Sequence, residues 1–342
     1  MYICALRVIV GTQNILKVPG GGCPTGPEDP LTMEYPDLPG YEITGIVGQG
    51  SMGCVYRGRH RGDGQDVAIK TLLVDDPSLQ RALANEWEVL SRVEHDYLIN
   101  EREIIQFEGR AYLVMEFVES QTLTAWTDAA TPRQRMEEGA KILEKLCEVL
   151  AYLHNQHPPV IVRDLKPDNI LILPNGDIKL IDFGIARALE GGAKTEVALK
   201  GFASAAYAPL EQYSTNATTG IASDVYSLGA TTYHMISGQA PMPAIDMLTH
   251  SKDAEKMLLA RGIDRDWAEL VGAAMRSKAT QRISLPTFRV RIPGPKVITD
   301  EPVRPLAPLP KAAPPSLSSS GLVWWLLLAV ALLVAAMLVP LK

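Results

Sequence analysis

Between residues 41 and 118 the chain alternates short β-rich runs with turns: "YEITGIVG", "GCVYRGRH", "DVAIKTLL" and, later, "EIIQFEGRAYLVMEFV". Runs of a few Val, Ile, Tyr and Phe residues bounded by Gly and Asp predict strands. One stretch here changes period. From about Pro77 to Val93, Leu83, Leu90 and Val93 share a face with Trp87 alongside, which predicts a helix. After Thr122 long helices dominate. One is expected over roughly Thr131 to His154, with Ile142, Leu143, Leu146, Leu150 and Leu153 at helical spacing, and "DVYSLGATTYHMI" and "DWAELVGAAMRS" read as further buried helices. Between them, "ILILPNGDIKLI" predicts a small hairpin closed around Asn175-Gly176. A β-rich part followed by a helix-rich part predicts an α+β fold of two unequal lobes with a cleft between them.

The flanks have a different character. Residues 1–40 read as an extension, because Pro and Gly dominate "PGGGCPTGPEDP". The apolar "MYICALRVIV" is short and no small-residue cleavage site follows it, so no secretory signal is expected. Met33 is an alternative start. The main domain is placed at 41–292, with a small lobe over about 41–118 and a larger one over about 119–292. Residues 293–320 form a Pro-rich linker, a spacer in which Pro305 to Pro308 has PxxP spacing. Leu322 to Val339 carries no charge and as a helix would span about 27 Å, close to the hydrocarbon thickness of a bilayer. Trp324 and Trp325 suit its interface, so 321–340 is expected to be a single transmembrane helix.

Composition adds limits. The chain is 46% apolar and 21% charged, which are globular values. Its net charge of -6 argues against a dedicated nucleic-acid binder. Cys4, Cys23, Cys54 and Cys147 are scattered without a C-x-x-C pair, so reduced thiols are expected rather than zinc or disulfides. Cys54 reads as a small residue on a Gly-rich flap.

Four strings carry chemistry. "GQGSMGCV" places Gly48, Gly50, Gly53 and Val55 in a strand-loop-strand setting. Such glycines let backbone N–H groups approach phosphates, and Val55 can cover an adenine ring. "VAIK" ends an apolar strand on Lys70, whose buried charge needs a partner. Glu86 on the following helix is the candidate, with Glu88 as its competitor. "RDLKPDN" puts Asp164, Lys166 and Asn169 on one loop, and "DFG" adds Asp182 after the hairpin. Phosphoryl transfer needs a carboxylate to take the hydroxyl proton, a cation to neutralise charge, and oxygen ligands for Mg²⁺. Asp164, Lys166, and Asn169 with Asp182 supply these in order, with Lys70 and Glu86 completing the catalytic set.

Together these strings resemble the protein-kinase family, and specifically the eukaryotic-like serine/threonine kinases of bacteria, over about residues 41 to 290. The resemblance implies ATP and Mg²⁺ as cofactors, with Mn²⁺ as a substitute, and Ser/Thr hydroxyls of proteins as acceptors. It places Met115 at the back of the nucleotide pocket, Glu116 and Val118 at the hinge, and Val47, Ala68 and Leu171 against the nucleotide. Asp224 and Gly229 match the family's buried helix beneath the catalytic loop. In "AYAPLEQY" an ungapped alignment keeps Glu211, for which Arg282 is the ion-pair partner, and assigns Ser204 to hold the catalytic aspartate and lysine. A gapped alignment would move Ser204 off that role. Arg163 is expected to meet a phosphate on Thr195. Val162 stands where the family has histidine, and is read as a packing exchange that leaves the reacting groups intact.

These readings imply an autophosphorylating kinase, with self-association, tethered to the bacterial inner membrane and facing the cytoplasm, where ATP is found. The alternatives are a pseudokinase scaffold that binds nucleotide or partners without transfer, and a kinase of small molecules.

Overall fold

The structure is a computed structural model and describes residues 35–49, 53–72, 87, 91–182, 205–213 and 219–294. All of these belong to the first of two units, Met1–Leu306, and the second, Ala307–Lys342, lies outside them. The transmembrane helix expected at 321–340, the Pro-rich linker beyond residue 294 and most of the Pro77–Val93 helix are outside the described residues. Among the described residues no helix is long and apolar enough to cross a membrane.

The small lobe is a five-stranded antiparallel sheet in the order β1-β2-β3-β5-β4. Its strands are β1 (Tyr41–Gln49), β2 (Gly53–His60), β3 (Asp66–Leu72), β4 (Glu101–Phe107) and β5 (Arg110–Glu116). Alternation of side chains divides them between two apolar faces. Val55, Ala68, Leu113 and Met115 point to one side, where Trp87, which is helical, packs against them. Cys54, Tyr56, Val67, Ile69, Tyr112 and Val114 point to the other, closed by Leu38 and Tyr41. Cys54 is therefore a fully buried member of the outer core rather than a residue of the flap. The β4–β5 turn runs through Glu108 and Gly109, both at positive φ, the backbone that a tight hairpin requires.

The larger lobe begins with β6 (Gln121–Thr122), α1 (Leu123–Ala129) and α2 (Pro132–His154). Thr131 and Gln134 form a reciprocal capping box at the start of α2, and Pro132 sits where its missing N–H costs nothing. All five of the apolar residues anticipated on this helix are buried. The hairpin of β7 (Ile170–Ile172) and β8 (Ile178–Leu180) joins β6 in a three-stranded sheet. Its turn has Gly176 at φ +81°, and Asn175 Oδ1 accepts from Asp177 N–H.

The helix α3 (Ile221–Ser237) is buried continuously from Ser223 to Ile236, and its polar Asp224, Ser227 and Thr232 each find a hydrogen bond inside the lobe. Gly229 lets α3 approach α6 (Arg265–Ala274): a Cβ there would lie 2.7 Å from that of Ala274. Shorter helices α4 (Ala244–Thr249), α5 (Ala254–Leu259) and α7 (Leu285–Val290) close the lobe. The fold is two-lobed as the hydrophobic pattern predicts. The lobes meet where Leu98 pairs with Leu180 and Ile99 N–H donates to Leu180 O at 3.1 Å.

Candidate active site

The cleft between the lobes is lined above by Val47, Val55, Ala68 and Lys70, behind by Met115, Glu116 and Val118, and below by Leu171 and Asp182. Eight of the anticipated nucleotide-contacting residues thus share one pocket with the anticipated metal ligand. The register explains the upper wall. Val55 lies opposite Lys70 and Ala68 opposite Met115, so one face of the sheet presents all four. Gly48 and Gly53 sit in β1 and β2 beside the opening, with Gly48 opposite Val55, and Gly50 lies outside the described residues.

Ile99, Phe117, Ser120 and Ile181 also line the pocket. No motif pointed to them. For Ile181 a signal was available, since Leu180 points into the main core and period-two alternation turns its neighbour to the cleft. The Glu116 carboxylate is committed elsewhere. It accepts from Lys179 Nζ at 2.7 Å and from Asn100 N–H at 2.9 Å. The Arg57 guanidinium covers the Phe117 ring at 4.3 Å, so the segment behind the cleft is held on both sides.

At the cleft edge Lys70 Nζ donates to Asp182 Oδ1. Glu86, proposed as its partner, and Glu88 lie outside the described residues. On the loop, Lys166 Nζ donates to Asp164 Oδ2 at 2.6 Å. Asn169 Nδ2 donates to Asp164 O at 2.8 Å and to Oδ2 at 3.1 Å, which turns its Oδ1 away from that carboxylate. Burial works to lower the Lys166 pKa, but Asp164, Asp182 and Asp168 outweigh it and hold the ammonium above the usual lysine range. Arg163 and Asp182 both adopt positive φ, at +68° and +57°. For non-glycine residues this backbone is strained, and it persists because the surroundings over-determine it.

Around Arg163 those surroundings are a buried carboxylate. Asp224 of α3 has no exposed surface and accepts from three donors: Val162 N–H, Arg163 N–H and His154 Nε2, all within 2.8–2.9 Å. It grips the loop backbone immediately before Asp164. The His154 contribution was missed, since nothing local to residue 154 points seventy positions ahead. Val162 is completely buried, and its N–H makes one of these bonds whatever its side chain.

A second anchor holds the segment 205–213. Arg282 meets Glu211 in a bidentate pair, Nη1–Oε1 at 2.6 Å and Nη2–Oε2 at 2.9 Å. Ser223 Oγ adds a bond to Oε1 at 2.8 Å. Burial would raise the Glu211 pKa, but these partners pull it below the usual carboxylate range. This pairing fits the ungapped alignment. Gln212 Nε2 ties the segment to Arg163 O at 3.0 Å, while the Arg163 side chain is exposed. Thr195 and Ser204 lie outside the described residues.

Comparison with known proteins agrees with this geometry. Residues 41–288 match the family model described as protein kinase domain. Cyclin-dependent kinase-like 2 of Rattus norvegicus is 30% identical over 260 residues, covering 74% of this chain and 50% of that protein. The probable serine/threonine-protein kinase PknB of Lactococcus lactis is 31% identical over 207 residues, 59% of this chain and 32% of its own length. The chain thus spans half or less of these relatives. Among solved structures, the apo form of PpkA-294 superposes with a TM-score of 0.63 at 23% identity, covering 76% of this chain and 99% of that one. The PknI kinase domain of Mycobacterium tuberculosis gives 0.58 at 20% identity, covering 75% and 96%. At these identities the two structures speak for the fold alone. With nearly the whole of both lobes inside the family match, this chain belongs to the protein kinase family.

Proposed function

We propose that this protein kinase transfers the γ-phosphate of ATP to Ser/Thr hydroxyls of proteins, with autophosphorylation, while tethered to the bacterial inner membrane on its cytoplasmic side. The observation that carries the reading is the pairing of Lys70 with Asp182 in an apolar cleft, beside a loop on which Lys166 and Asn169 hold Asp164 and Lys166 also feels the Asp182 charge. The apolar walls receive the adenine. Lys70 presents its charge to the phosphates, and Lys166 neutralises the group in transfer. Asp164 accepts the proton of the attacking hydroxyl as the bond from oxygen to γ-phosphorus forms and the bond to the departing ADP breaks.

The donor set fits Mg²⁺. Asn169 Oδ1, left over by the two bonds of its amide nitrogen, and the Asp182 carboxylate are both hard oxygen donors. Among the described residues there is no cluster of three or more His, Cys, Asp or Glu side chains that could hold a metal alone. That suits an ion which takes one or two protein oxygens and completes its shell with substrate phosphate and water. Bound there, Mg²⁺ or its substitute Mn²⁺ would neutralise charge on the β- and γ-phosphates. The exposed Arg163 is the proposed receiver of a Thr195 phosphate, and 321–340 the proposed anchor.

Incubation of the detergent-purified full chain with labelled ATP, Mg²⁺ and myelin basic protein tests this. Label should appear on Ser or Thr of the chain and the substrate, and should vanish with EDTA. Nucleotide binding without transfer would instead make the protein a scaffold, and label on Tyr alone would overturn the acceptor class. Sedimentation with membranes that survives salt but not detergent is expected of the tether.

A further inference from the structure

Three side chains of the segment 205–213 fasten it beneath the cleft: Glu211 to Arg282, Gln212 to Arg163 O, and Tyr207 to His234. The third differs from the others in chemistry. The Tyr207 hydroxyl lies 2.5 Å from His234 Nδ1, and the two rings stack with centroids 6.1 Å apart and planes 16° off parallel. Both residues are buried, and Ser227 Oγ fixes the same point by donating to Tyr207 O at 2.9 Å. His234 belongs to α3, two turns and more beyond Asp224, so the helix that grips the catalytic loop also grips this segment.

We propose that His234 is a positioning residue whose imidazole holds the acceptor-side segment through Tyr207, and that its protonation releases this hold and weakens protein-substrate binding without weakening ATP binding. The inference rests on the kinase reading above. In the neutral Nε2–H tautomer, Nδ1 accepts from the Tyr207 hydroxyl, which burial keeps protonated. Protonating Nδ1 ends its role as acceptor: the hydroxyl must turn to accept from Nδ1–H, and the ring becomes a cation in a buried site.

Charged groups face the ring from each element around it. Burial lowers the His234 pKa, Asp168 of the catalytic loop and Asp128 of α1 act to raise it, and Arg135 of α2 lowers it. The net direction is downward, so the ring is neutral at physiological pH. Protonation becomes unfavourable to the folded arrangement as pH falls below the ordinary imidazole range and through the depressed value. Neither other contact titrates in that window: Glu211 is held below the carboxylate range, and Gln212 carries no charge.

The test compares wild type with His234→Gln, whose amide oxygen can still accept from Tyr207 but does not titrate. Between about pH 7.5 and about pH 5.5, the wild-type KM for myelin basic protein should rise about fivefold, the worth of one net hydrogen bond, with KM for ATP unchanged. His234→Gln should flatten that rise. Tyr207→Phe should give a raised KM for the protein substrate at both ends. A matching wild-type and His234→Gln profile, or a parallel shift in KM for ATP, would overturn the proposal. Amide hydrogen exchange over 205–213 gives a readout independent of transfer. Relative to His234→Gln at the same pH, wild type should exchange faster at the acid end only. If that holds while no phosphate is transferred, the kinase reading fails and the positioning role stands. An equal ratio at both pH values would sink the positioning role.

Discussion

At the cleft edge, Lys70 meets Asp182 and Lys166 meets Asp164, with each side chain between 12% and 25% exposed. Below them, the Asp224 and Arg282 side chains have no exposure at all. Both regions pair carboxylates with cations or N–H donors, yet they do different work. At the edge the partners are charged side-chain tips, and water or a phosphate can replace either one at modest cost. In the anchors the partners include backbone groups: Asp224 takes the N–H of Val162 and Arg163, and Arg282 donates to Ala222 O and Ser277 O. A group bonded to backbone in a dry site cannot exchange partners without moving the chain. The contrast teaches a division of labour. The edge can be re-partnered by substrate because the anchors cannot be.

Substitutions on the two sides should therefore fail differently. Asp164→Asn should lower phosphate transfer by about 10²–10⁴-fold, the usual worth of a general base, and shift the thermal midpoint by only a few degrees. Transfer rates and a melting curve on the same preparation check both halves, and a large loss of stability would erase the distinction.

Arg282→Ala should show the opposite balance. It leaves the Glu211 carboxylate unpaired in a site 15% exposed, at a cost of about 3–5 kcal/mol in unfolding free energy. Arg282→Lys should recover only part, since an ammonium cannot reproduce the two parallel bonds. The sign with pH follows from the depressed Glu211 pKa. The pair's contribution is present above the unfolded-state carboxylate value and is lost as pH falls through the lower folded value. Acid unfolding curves of wild type should accordingly be steeper there than those of Arg282→Ala.

Val162→His should have the smallest effect on rate, less than about threefold, because the residue acts through its N–H to Asp224 and not through its side chain. A ring forced into this fully buried position should instead cost about 1–3 kcal/mol of stability by overpacking. A large gain in rate would show that the missing imidazole mattered to transfer.

How far the site was legible follows from sequence distance. Asp164, Lys166 and Asn169 fall within one loop, so their residue types and spacing were enough to name them. The same holds for Asn175-Gly176 and for the period of α2, where local backbone rules act over a few residues. Glu211 and Arg282 were paired from afar only through the family resemblance. His154 with Asp224, Lys179 with Glu116, and Tyr207 with His234 carried no local signal. Cys54 shows the limit most plainly. Its neighbours are the glycines of the flap, yet the pleat of β2 turns it into the outer core.

The sequence by itself determined which groups this protein brings to the cleft and the order of its elements, because strand and helix periods, turn residues and reactive side chains are short-range properties. Only the tertiary structure decided which charges face each other, which are dry and which remain exchangeable. That depends on the register of β2, β3 and β5 and on the packing of α3 under the loop, and those are set by burial of the whole core at once rather than by any string of neighbouring residues.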